Sequence, residues 1–327
     1  MRKKSISIGI MTLLLLIGVE ILISSKEIME TVSFSFRVWK DNIFPSLFPF
    51  FILSTLLIEF GFVELVSELL KPLMTRVFKI GSNTAFIFVM SMISGFPSNA
   101  KYTKELYDKG LITRQEATKI LTFSHFSNPL FILGTVSILF LNNKEVGLLI
   151  LLSHYITNFM IGVLFRNVLP SKKEKSHCSI VKAINKMHEK RMHNPKKLGT
   201  IVTEAVMGAI QTLLLVLGTV TMFLVLSTIL NQIFHFNRFE QGIVSGMIEM
   251  TQGLNYLSKL HIPLSLKSSL SAMILSFGGF SVHMQVISIL SNTGISYKLY
   301  FIARVLHAII SGLIVYFLFD FWLLTIC

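Results

Sequence analysis

Apolar positions in this chain come in long unbroken runs, near residues 6–24, 43–60, 84–97, 119–141, 146–169, 200–231, 243–257, 268–291 and 299–326. Continuous runs predict helices, whereas a membrane β-barrel would show alternation of period two. A helix needs about 20 apolar residues to cross a bilayer. Run 84–97 falls short and ends in "SGFPSNAK", where Gly95 and Pro97 break a helix and Lys101 follows closely. It predicts a re-entrant hairpin within 61–100. Run 200–231 exceeds a crossing, so its start should lie along the interface or the helix should tilt. The stretch "LSFGGFSVHMQV" places Gly278-Gly279, Ser281, His283 and Gln285 inside run 268–291, which predicts another break.

Composition narrows the class. Only 14% of the 327 residues are charged, 52% are hydrophobic, and the mean hydropathy is +0.68; soluble domains carry about 25% charge. The pattern predicts an all-α polytopic membrane protein with the lipid bilayer as its surroundings. The first residues, "MRKKSISIGIMTLLLLIGVEILISS", join a basic start to an apolar core with no A-x-A site behind it. They predict an uncleaved first span.

The net charge of +13 changes the picture only through its placement. The cations cluster between apolar runs, which excludes a nucleic-acid partner and orients the chain by the positive-inside rule. With the N-terminus cytoplasmic and 61–100 re-entrant, 21 Lys/Arg lie inside and eight outside, with segment 25–42 among the outside loops. The basic stretch "SKKEKSHCSIVKAINKMHEKRMHNPKKLGT" then reads as a cytoplasmic linker. Cys178 and Cys327 indicate no disulfide framework. His177, His188 and His193 lack the cysteine pair of a zinc site and read as a solvated loop. No metal or cofactor is expected, and the coupling ion, H+ or Na+, stays open, as does a homo-oligomeric state. No H-E-x-x-H, G-x-S-x-G or P-loop occurs, so no catalytic residues and no enzyme are expected.

The linker divides two similar halves. "FILSTLL" (51–57) matches "LVLSTIL" (224–230), and Gly95-Phe96 and Gly110-Leu111-Ile112 match Gly279-Phe280 and Gly294-Ile295-Ser296 at one shift of 184. With the orientation above, the repeats are inverted, each with a re-entrant or broken-helix hairpin. The expected parts are an N-terminal span (1–30), a first repeat (31–170), the linker (171–199) and a second repeat (200–327). Inverted repeats with paired broken segments are the pattern of secondary transporters, which bind at the repeat interface.

Broken backbone survives in a membrane only where protein or a wet cavity satisfies it, so polar residues beside the breaks are the binding candidates. In the first half these are Ser98, Asn99 and Lys101, then Ser127 and Asn128 before Pro129. In the second they are Glu249 and Thr251, then Gly278, Gly279, Ser281, His283 and Gln285, and Arg304 in the last run. Each has a plainer reading: glycines that allow close helix packing, a proline kink, a histidine bonded across helices, Glu249 paired with Arg304. Glu20 and Glu59 read as interfacial ends, and His154 as a packed polar residue. A buried ionisable group is costly unless paired or functional.

The stretches "SGFPSNAKYTKELYDKGLITRQEATKI", "FSNPLFILGTV" and "LSFGGFSVHMQVISIL" together resemble the YlbJ-type sporulation integral membrane proteins, which contain nucleoside-recognition (Gate) domains. The resemblance spans about residues 5–320. It implies a mother-cell membrane protein that moves dipicolinic acid, a small planar organic anion, across the outer forespore membrane. It carries the four polar runs at Gly95–Lys101, Ser127–Pro129, Glu249–Gly253 and Gly278–Gln285 over as site positions. Where relatives have an Asn-rich stretch before the proline, this chain has "SHFSN". Two carboxylates would find counter-charges in Arg304 and Lys101, donors in Ser98, Asn99 and Ser281, and rings to stack on in Phe96 and Phe280. A nucleoside-type permease, with Glu249 on ribose hydroxyls, and a non-transporting assembly protein are the alternatives.

Overall fold

The computed structural model describes residues 2–170 and 178–326, and within them the chain is helical with no strand. Helix α1 (Arg2–Ile23) carries an 18-residue apolar window with none of it buried. Helix α2 (Ser25–Val38) runs through a π turn (Trp39–Ile43) into α3 (Phe44–Glu59). Segment 25–42 is therefore not the outside loop that charge counting made it. Its mixed polarity forms one face of a continuous 35-residue rod, packed on the long helix α10 (Leu198–Phe234). Trp39 Nε1 donates to Leu213 O at 2.9 Å, and Ser35 and Thr221 share a 2.7 Å hydrogen bond across that contact. At 37 residues α10 is about 55 Å long, well beyond the about 30 Å hydrocarbon core, as its run length predicted.

Short helix α4 (Phe62–Leu69) follows α3 through Gly61, and then the chain breaks four times. Helices α5 (Thr84–Ser94) and α6 (Ser98–Asp108) fold back on one another around Gly95-Phe96-Pro97, with a cis Phe96–Pro97 bond. The break falls where the sequence placed it, but the second arm runs on to Asp108, beyond the expected 61–100. Run 119–141, expected as a simple span, is interrupted. It begins after α7 (Arg114–Ile120) in irregular backbone and resumes as a π-helical stretch, Phe131–Phe140, before α8 (Lys144–Leu164). Pro129 ends the irregular part: it offers no N–H and clashes with a helical turn before it. In the second half α11 (Arg238–Ile248) and α12 (Met250–Ser258) form another folded-back pair with Glu249 at the tip. Glycines permit it, since a Cβ on Gly253 would fall 2.1 Å from Gly246 Cα. Helices α13 (Leu264–Phe277) and α14 (Gly279–Ile289) then share one apolar span, broken at Gly278 (φ +87°). The last helix is α15 (Tyr297–Ile326), packed along α13 and α8. Helix α9 (Ile180–Met192), in the linker, lies against α4. Among the described residues six segments are long and apolar enough to cross a bilayer.

Element order thus occurs twice: a long helix, a folded-back pair, a broken rod, a long helix. That order pairs the Gly95 tip with the Glu249 tip, and the break before Pro129 with the break at Gly278. The 184-residue register of the sequence instead matches Gly95 with Gly279. Contacts within each half agree with the element order. A Cβ on Gly95 would lie 2.5 Å from Asn128 N, and one on Gly279 would lie 3.0 Å from Met250 N. In both halves the tip of the folded-back pair abuts the break of the rod.

Candidate functional site

A cavity lies where the four breaks meet. Phe96 comes from the first tip, Ser127, Asn128 and Phe131 from the first rod, Glu249, Met250 and Thr251 from the second tip, and Val282 and Gln285 from the second rod. Asn42, Ile43, Ser46 and Leu47 on the π turn and α3, and Val216 and Val220 on α10, complete the wall. The space inside open to water-sized molecules is about 50 Å³, room for a few waters.

The break before Pro129 is viable in an apolar setting because side chains take up its backbone groups. Ser127 N donates to His154 Nε2 at 3.0 Å. Asn158 Nδ2 donates to His125 O at 2.6 Å, Arg304 Nη2 donates to Thr122 O, and Asn128 Oδ1 accepts from Leu130 N at 2.8 Å. The second tip is held differently. Glu249 is the N-cap of α12, and its carboxylate accepts from Gln252 N at 3.0 Å, satisfying one orphan donor of the helix start.

Behind the cavity sits a cluster of histidines around Arg304. Their partners fix their tautomers. Arg304 Nη1 is 2.6 Å from His307 Nδ1, and a guanidinium only donates. His307 Nε2 therefore carries the proton it donates to His154 O at 3.0 Å. His154 Nε2 accepts from Ser127, so its Nδ1–H faces Ser276 Oγ at 2.9 Å. His283 Nε2 donates to Phe277 O at 3.1 Å, and its Nδ1 shares a 2.6 Å hydrogen bond with Tyr297 Oη. His154 and His307, each accepting from a group that can only donate, are neutral imidazoles in this arrangement. His154 is the packed polar residue expected of it.

Of the residues singled out in the sequence, Ser127, Asn128, Glu249, Thr251 and Gln285 line the cavity together. Gly278 and Gly279 form the break beside it. Ser281, Ser98 and Asn99 are buried off the wall; Ser98 and Ser94 share a 2.9 Å hydrogen bond, whereas Asn99 and Ser281 leave their side-chain polar atoms without a partner. His283 is bonded to neighbouring helices. Lys101 Nζ has no hydrogen-bond partner and lies 4.3 Å over the Phe51 ring. Arg304 is buried, but it is not paired with Glu249: among the described residues no carboxylate forms an ion pair with it, and Tyr300 lies under it at 5.4 Å. Phe280, expected beside Phe96, is 39% exposed on the outer surface; the ring that joins Phe96 in the wall is Phe131. Glu59 is more than an interfacial end, since Lys109 at 2.9 Å, Asn194 at 2.9 Å and Lys196 at 3.5 Å converge on it. Part of the linker is helix α9 docked on α4, whereas His177 lies outside the described residues. Sequence reasoning missed Asn42, which it placed in an outside loop, Ser46, which it counted only as part of the apolar run 43–60, and Asn158, although "SHYITN" places it one helical turn from His154.

A family model described as nucleoside recognition (Gate) matches residues 42–165. Over 304 residues the chain is 36% identical to the sporulation integral membrane protein YlbJ of Bacillus subtilis (strain 168), covering 85% of this chain and 74% of that protein. No solved structure matches.

Proposed function

This chain belongs to the family of the sporulation integral membrane protein YlbJ, with a nucleoside-recognition domain in its first half, and from that membership we propose that it transports a small organic anion, dipicolinate, from the mother cell across the outer forespore membrane. The observation that carries the reading is the cavity at the meeting of four backbone breaks, two from each half. A transporter needs a site at the contact of two units that can rock against each other. In this reading the two halves lie inverted in the bilayer, with the N-terminus and the linker in the mother-cell cytoplasm. Ser127, Asn128, Thr251 and Gln285 supply donors to carboxylate oxygens, and Phe96 and Phe131 flank a flat ring. Ser98, Asn99, Lys101, Gly278, Gly279, Ser281 and His283 shape the tips that must move to release it.

One observation favours a second reading. Glu249 is an acid on the cavity wall, and neither Lys101 nor Arg304 is on it. An acid among amides suits ribose hydroxyls, so a nucleoside is the competing cargo. Purified full-length protein in liposomes separates the two, with pH and Na+ gradients imposed in turn to find the driving ion. Dipicolinate uptake above protein-free liposomes, with none for nucleosides, is the expected result. The reverse transfers the assignment to nucleosides, and flux of neither leaves a non-transporting assembly role.

A further inference from the structure

We propose a second, inner anion-binding station behind the cavity, centred on Arg304 and His125 and closed off by the Phe96 ring. It rests on the reading of the cavity as the entrance for an anionic cargo, and it answers why that cavity has no cation on its wall.

Phe96 lines the cavity, and His125 stacks on its ring at 4.7 Å and 11°. His125 is not itself on the wall and is fully buried. Its Nδ1 shares a 3.0 Å hydrogen bond with Tyr300 Oη, and the Tyr300 ring lies under the Arg304 guanidinium. The order from cavity inward is thus Phe96, His125, Tyr300, Arg304.

This inner layer is positive and incompletely matched. An arginine stays protonated, and burying its charge costs several kcal/mol unless an anion is near. Arg304 has 0% of its surface exposed, and the groups bonded to it are the neutral Thr122 O, His307 Nδ1 and Asn158 Oδ1. Two donors or acceptors here have no partner in the protein: Arg304 Nε and His125 Nε2. His125 Nε2 faces Gly278, where an added Cβ would lie only 3.1 Å away. A carboxylate takes an Arg fork in two parallel hydrogen bonds, and it supplies the missing countercharge. The ligand class is a carboxylate anion, with the aromatic dicarboxylate as the cargo that passes from the cavity donors to this station. Phe96 stands at the hairpin tip, in the position to swing as that tip moves.

The test titrates dipicolinate, benzoate and acetate against full-length protein in detergent, reading bound ligand by calorimetry. Wild type is expected to bind dipicolinate most tightly, and Arg304→Gln to bind every carboxylate roughly 10- to 100-fold more weakly, the loss of a charge-assisted hydrogen bond. Arg304→Lys, which keeps the charge but loses the fork, covers the case where the Gln variant does not fold; at least about tenfold weakening is expected. If dipicolinate binds wild type and the Arg304 variants alike, the inner station is overturned and the substrate reading stands. If benzoate and acetate bind in an Arg304-dependent way while dipicolinate does no better, the station stands and dipicolinate as cargo falls. Binding of no carboxylate to wild type overturns both.

Discussion

Single positions at the breaks are decided by close approach. Gly95 sits at φ +79° and ψ −175°, a region essentially restricted to glycine, and its missing Cβ leaves room for the Asn128 backbone. Gly110 also has positive φ (+66°), but a Cβ there meets nothing within 4 Å. Gly110→Ala should therefore cost about 1 kcal/mol, whereas Gly95→Ala should cost more than about 3 kcal/mol or prevent folding. Thermal unfolding in detergent ranks the two, and equal losses would contradict the packing of tip on rod. Asn158 holds both His125 O and the Arg304 side chain, so Asn158→Leu should cost about 2–4 kcal/mol by leaving a buried carbonyl unpaired beside a weakened cation. The same unfolding assay reads it. The sequence marked Gly95 and Asn128 as special because glycine and asparagine beside proline oppose helix. It could not show that they touch, because 33 residues separate them and only the fold closes that distance.

At the scale of elements, the linker helix is a clasp. Lys186 Nζ meets Glu68 Oε2 at 2.8 Å, Arg191 lies 5.7 Å over Phe60, and Gly61 lets the α9 backbone approach so closely that a Cβ would fall 2.6 Å from Met187 O. Burial alone would raise Glu68, but its hydrogen bond to Lys186 and the charges of Lys186, Lys71 and Lys182 hold it below the ordinary carboxylate value. A depressed folded pKa means that the stabilisation is in place above the unfolded value of about 4.3 and disappears as pH falls through the lower folded value. Protection factors of amides 180–192, corrected for the intrinsic pH dependence of exchange, should therefore be high at neutral pH and fall below about pH 4. Glu68→Gln should remove that dependence at a cost of about 1 kcal/mol, small because Lys186 is partly solvated. An unchanged acid response in Glu68→Gln would mean that the clasp is held elsewhere. Run lengths and charge located this linker and the long helices apart from residues 25–42 of the rod that α2 begins. They did not reveal the docking, because a basic amphipathic stretch looks the same whether it faces water or a pair of acids.

At the scale of the whole molecule, elements of the two halves close on a shared cavity. Its orientation is open to a direct check. Cys178 is exposed in the linker, so in a Cys327→Ser background a membrane-impermeant maleimide should label intact cells poorly and permeabilised cells fully. Equal labelling would place the linker outside and undo the topology proposed above. Hydropathy, glycine and proline positions and the distribution of Lys/Arg were enough to indicate an all-helical membrane protein, the family resemblance and the breaks at Gly95 and Gly278, because each depends on local chemistry summed over a short window. The break before Pro129 and the break at Glu249 were legible only as polar patches inside apolar runs. Which breaks meet, that Glu249 rather than Arg304 reaches the cavity, and that Phe96 covers His125 were decided by tertiary structure. Those facts depend on how residues far apart in the chain pack, and a linear pattern of apolar and polar positions carries no distance across the fold.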